Sequence, residues 1–140
     1  MTSEDVRAFV RRHLDLFLTR DPATLAANHA EDGVVESPSA GRQNGRTEIA
    51  SAYERWFAAF PDLQVSMENL VADSNRAAVF VRVNGTHRGD FMGLPPTGKR
   101  IEFQAVLLQE IDGDLIAHER RMYDFSALLI QLGLLKVRPS

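Results

Sequence analysis

The chain reads as an α+β fold, a curved and mostly antiparallel sheet wrapped around N-terminal helices. Three observations predict it. Apolar residues recur at three- and four-residue steps through the first sixty positions, and the period drops to two from Leu63 onward. Asp112-Gly113 then joins two long runs, KRIEFQAVLLQEI and DLIAHERRMY, as the turn of a hairpin, because such a turn needs positive backbone angles at both central positions. Helices first and an antiparallel meander afterwards make an α+β architecture, and 140 residues suit one domain over residues 1–140.

Val6, Phe9, Val10, His13, Leu14 and Phe17 mark one helix face from about residue 4 to about residue 19, with Thr2 or Ser3 as its cap. Asp21-Pro22 supplies a cap followed by proline at the first helical position, so a short second helix is expected to carry Leu25 and His29 before Gly33 ends it. GVVESP reads as a brief strand and PSAGRQNG, residues 38 to 45, as a loop. Ile49, Tyr53, Trp56, Phe57 and Phe60 outline a third amphipathic helix stopped by Pro61. Leu63, Val65 and Met67, then Val79, Val81 and Val83, alternate as strands around a DSN turn. FSALLIQL returns to a helical period, with Gly133 as its stop.

Composition excludes several chemistries. The chain has no cysteine, so disulfides, thiolate metal sites and a cysteine nucleophile are ruled out. The net charge is -3, and 14 of the 16 basic residues are Arg scattered among acids, which argues against nucleic-acid binding. No 18-residue apolar run is present and MTSEDVRAF is charged, so the expectation is a cytoplasmic protein with no membrane association. GLPPTGKR, residues 93 to 100, only mimics a phosphate-binding loop. Pro95 and Pro96 lack N–H groups, Arg100 stands where a hydroxyl is needed, and a strand pattern follows. HERRM has Met122 where a zinc site needs its second histidine, so no metal site is expected.

The remaining candidates surround HERRMYDF, residues 118 to 125. Unbroken alternation would put Ile116, His118, Arg120, Met122 and Asp124 on one face, a mixture suited to a cavity wall with convergent polar groups. Val79, Val81, Val83 and His87 share a parity, and Ile101, Phe103, Ala105 and Leu107 form an apolar stripe that suits the same concave surface. Asp124 has two competing roles, an N-cap for the last helix or a general base. Tyr53 and Trp56 are expected in the core, with a route to contacting ligand.

The order helix, helix, strand, long helix, meander and final helix resembles the nuclear-transport-factor-2-like cone with a central pocket. GTHRGDFMGLPPTGKRIEF, the DG hairpin and YDFSALLIQLG are similar more specifically to the SnoaL-like polyketide cyclases. The resemblance implies a cofactor-independent enzyme acting on a hydrophobic or aromatic carbonyl-bearing small molecule. It puts the acid/base carboxylate on Asp124, with His87 and Arg120 as catalytic polar partners and His118, Met122, Tyr53, Trp56, Phe103, His13 and Ser37 in the binding pocket. Where this group commonly carries a tryptophan the chain has ERR, which points to an anionic or strongly polar ligand. Ketosteroid isomerases share the fold, but their proton-shuttling aspartate falls on Ser37 and their phenol donor on His13. Arg120 and Asp124 supply only part of the set an epoxide hydrolase of this fold needs, and a non-catalytic binding or association module is the alternative from another class. A homodimer is expected through the outer sheet face, with Leu108 and Tyr123 on the exposed parity.

Overall fold

The computed structural model describes residues 1–136; residues 137–140 lie outside the described part. Helix α1 (Ser3–Asp15) starts at a capping box in which Thr2 Oγ1 accepts from the Asp5 N–H and the Asp5 carboxylate accepts from the Thr2 N–H. It buries Val6, Phe9, Val10, His13 and Leu14, the face its periodicity predicts. A 3₁₀ turn (Leu16–Thr19) leads to α2 (Pro22–Ala26), capped by Asp21. Strands β1 (His29–Ser37) and β2 (Gly41–Asn44) precede α3 (Gly45–Ala59), which buries Ile49, Ala52, Tyr53 and Phe57. Strands β3 (Gln64–Ala72), β4 (Arg76–Thr86), β5 (Arg100–Asp112) and β6 (Leu115–Tyr123) and helix α4 (Phe125–Gln131) complete the fold. Among the described residues no helix is long and apolar enough to cross a membrane.

The six strands form one sheet in the order β2-β1-β6-β5-β4-β3, antiparallel except for β1 beside β6. Two local expectations are corrected. His29 opens β1 instead of ending α2, and residues 41 to 44 of the expected loop pair with β1. The first follows from the parallel β1–β6 pairing, a contact of long sequence separation that satisfies backbone groups local periodicity assigns elsewhere, and the second from a short antiparallel β1–β2 hairpin.

Register shifts interrupt three ladders, one each in β1–β6, β3–β4 and β5–β6. Such extra residues bend a sheet and raise its twist, and here the sheet curls over α1 and α3 with the core inside the curve. The loop after β4 is pressed against the end of α3: the Arg88 and Gly89 N–H groups both donate to the Ala59 carbonyl. A Cβ on Gly89 would lie 1.9 Å from the Ala58 carbonyl oxygen. Gly89→Ala is therefore expected to cost on the order of 2 kcal/mol, read as a lowered urea midpoint with an unchanged slope.

Candidate active site

A narrow apolar cavity opens between the helical layer and the concave sheet face. Phe17 and α3 residues Tyr53, Trp56 and Phe57 form one wall; Val81, Val83, Phe103, Ala105 and Leu107 form the other. Strand β6 contributes Glu119, Arg121 and Tyr123. Trp56, Phe103 and Tyr123 enclose one another with ring centroids 5.0 to 6.3 Å apart, the spacing of tilted and edge-on aromatic contacts. Apolar walls with few polar groups suit a mostly apolar ligand.

The polar chemistry is concentrated in one buried ion pair. Arg121 Nε donates to Glu119 Oε2 at 2.7 Å, and Gln109 Nε2 donates to Glu119 Oε1 at 2.6 Å. The Glu119 side chain is 1% exposed and that of Arg121 12%. The guanidinium carbon lies 4.8 Å from the Tyr53 ring centroid, over its face. Besides the Nε bond to Glu119, the guanidinium acts on the Tyr53 phenol, opposing the rise that burial causes there. Burial alone would raise the Glu119 carboxyl, but Arg121, joined in acid by His29 and His13 once they protonate, outweighs it and holds the group below the usual carboxylate range. Burial would likewise lower Arg121, and the adjacent Glu119 reverses the direction. At neutral pH the pair is fully ionised.

Behind it, His29 Nε2 lies 2.9 Å from the Tyr53 hydroxyl, and Asn28 Nδ2 donates to His13 Nδ1 at 3.1 Å. Burial holds His13 at a pKa of about 4 and His29 at about 3, so both rings are neutral at pH 7. Burial raises the Tyr53 phenol well above its usual range.

The face expected to line the cavity is the wrong one. Ile116 pairs with Ile111 and His118 with Glu110, leaving Ala117 as an extra residue that reverses the alternation. Glu119, Arg121 and Tyr123 therefore point inward, while His118, Arg120 and Met122 do not line the cavity. His118 Nε2 sits 2.7 Å from Glu36 Oε2 with Arg120 3.9 Å from the same oxygen, and Met122 is 44% exposed. Tyr123 is thus not on the outer face. One signal for this is in the sequence: Ile116 and Tyr123 are both apolar but of opposite parity, so a strand burying both needs one extra residue.

The other candidates are dispersed. Asp124 caps α4, Oδ1 accepting from the Ala127 N–H at 3.0 Å; it is exposed and does not line the cavity. His87 is buried against Phe60, its Nδ1 engaged by the Thr97 hydroxyl and N–H, at a distance from the aromatic wall set by the intervening Phe60. Ser37 Oγ accepts from the Ala40 N–H in the β1–β2 turn. His13 lies among core residues behind His29, outside the cavity lining. Tyr53, Trp56 and Phe103 do stand in the cavity wall.

Solved structures share this arrangement over nearly its whole length. AclR of Streptomyces galilaeus, a candidate hydroxylase, superposes with a TM-score of 0.86 at 24% identity, covering 99% of this chain and 91% of its own. IdmH of Streptomyces antibioticus, a candidate polyketide cyclase, gives 0.76 at 24% identity over 91% of this chain and 97% of its own. A SnoaL-like polyketide cyclase of Agrobacterium tumefaciens gives 0.76 at 25% identity over 95% and 99%. Among curated proteins none matches in sequence. The family model described as SnoaL-like polyketide cyclase matches residues 7–132, so the chain belongs to the SnoaL-like polyketide cyclase family.

Proposed function

We propose that the chain is a small-molecule enzyme of the polyketide cyclase/isomerase kind, acting on a mostly apolar substrate activated by a carbonyl group. The observation that carries this reading is Arg121, a permanent cation in the lining of an aromatic cavity. A carbonyl oxygen meeting its guanidinium receives a charge-assisted hydrogen bond that strengthens as an enolate forms.

Glu119 is a poor base, because both its oxygens are engaged and its proton affinity is depressed. Asp124 stands outside the cavity lining but next to Tyr123, and its Oδ2 makes no hydrogen bond among the described residues, so in this reading a substrate that extends past Tyr123 gives it the proton from the activated carbon. The enolate attacks an internal carbonyl, and the protonated Asp124 returns its proton to the new alkoxide. The neutral substrate and the anionic base exchange one proton, so net charge is conserved through the step.

Asp124→Asn and Asp124→Ser separate base from cap, since both replacements still cap a helix. Turnover of an aromatic β-keto ester is expected to fall roughly 10²- to 10⁴-fold in both, with the melting temperature held. Undiminished turnover in either variant removes Asp124 as base. Binding of the ester without turnover in the native chain would instead favour a ligand-binding module, a reading supported by the absence of Asp124 from the cavity lining.

A further inference from the structure

We propose that Glu119 is the specificity-determining residue of the cavity: by neutralising Arg121 it admits uncharged carbonyl compounds and rejects carboxylates. The inference rests on the reading of the cavity as a ligand site and goes beyond it by fixing the ligand's charge. A lone arginine in an apolar cavity would favour an anion, and the ERR segment invites that conclusion.

The geometry points the other way. Of the residues lining the cavity, Glu119 and Arg121 are the two that carry charge, and their contact at 2.7 Å leaves the lining with none in sum. His13 and His29, packed behind the pair, add no charge at neutral pH. An entering carboxylate would be drawn to Arg121 and repelled by Glu119 at nearly the same range. Its lost hydration would then go uncompensated among Trp56, Phe103 and Val83, a heavy cost for an ion and a small one for a ketone.

A neutral carbonyl meets the opposite balance. It accepts a charge-assisted hydrogen bond from the guanidinium and brings no charge to desolvate. The negative charge of the enolate is generated in place as Asp124 loses its own, so the site never imports an ion from water. Gln109 makes the hypothesis testable by substitution, because its Oε1 is buried without a partner and can accept from the amide of a Glu119→Gln side chain.

The probes are 2-acetylnaphthalene and 2-naphthoate, matched in shape and different in charge, titrated calorimetrically at pH 7.5 into the native chain and into Glu119→Gln. The native chain is expected to bind the ketone roughly tenfold tighter or more, and Glu119→Gln to reverse the order. Equal or tighter binding of naphthoate by the native chain overturns the inference while leaving the cavity a ligand site. An unchanged order in a folded Glu119→Gln also overturns it. Binding of neither probe by either protein overturns the inference together with the ligand-site reading beneath it.

Discussion

Arg121→Met alone is expected to lower folding stability by about 3–5 kcal/mol, whereas the double replacement Glu119→Gln, Arg121→Met should recover most of that loss. The single change removes the cation and leaves a carboxylate that is 1% exposed, with Gln109 as its one remaining donor. One neutral donor does not offset the cost of keeping that charge out of water. The double change removes both charges, leaving an amide for Gln109 and an apolar side chain among Phe17, Tyr53 and Leu107. A native domain is stable by roughly 5–15 kcal/mol, so the single variant should sit near the edge of folding. Urea midpoints for the four members of the cycle measure the coupling. If the double variant is as unstable as the single one, the pair is not acting as a buried ion pair, and the charge argument for ligand choice falls with it.

That the ion pair was not anticipated says where sequence reasoning stops. The helix faces of α1 and α3, the hairpin at Asp112-Gly113 and the alternation of β4 and β5 were all legible, because each depends on contacts within one element or across a short turn. Phe103, Ala105 and Leu107 likewise face inward as their stripe predicts. Strand β6 was read one residue out of phase, and a slip of one moves every side chain to the other face. Unbroken alternation puts His118, Arg120 and Met122 where Glu119, Arg121 and Tyr123 stand, so Arg121 rather than Arg120 reaches the cavity. His29 was misplaced for a related reason. Its position depends on a parallel strand pair nearly ninety residues apart in the chain, roughly the separation at which local periodicity carries no information.

Mild acid is expected to destabilise the protein well before its surface carboxylates titrate. His13 and His29 are neutral and buried, and their pKa values fall from an ordinary 6.5 to about 4 and about 3 because burial penalises the charged ring. The unfolded chain therefore takes up protons as pH drops below 6.5 while the folded chain refuses them, and stability declines from there until the folded rings protonate. At about 1.4 kcal/mol per tenfold change in proton affinity, the 2.5 between 6.5 and 4 corresponds to about 3 kcal/mol for His13. The two rings are 5.7 Å apart and each lowers the room for charge on the other, so their contributions do not simply add. Glu119 attracts a proton to both rings, whereas Arg121 opposes it, and Arg46 opposes it at His29. Glu119 adds a loss of the same sign lower in the scale: its depressed carboxyl stabilises the fold above the ordinary value of 4.5, and that stability disappears as pH falls toward the folded value. Thermal melts from pH 7.5 to 4.5 should show a steep decline in the native chain and a shallower one in His13→Gln, which can still accept from Asn28. A native melting temperature that stays level between pH 7 and 5 would mean that His13 and His29 protonate in the folded state as freely as in water, and the apolar, proton-poor interior on which the neutral-ligand argument depends would have to be abandoned.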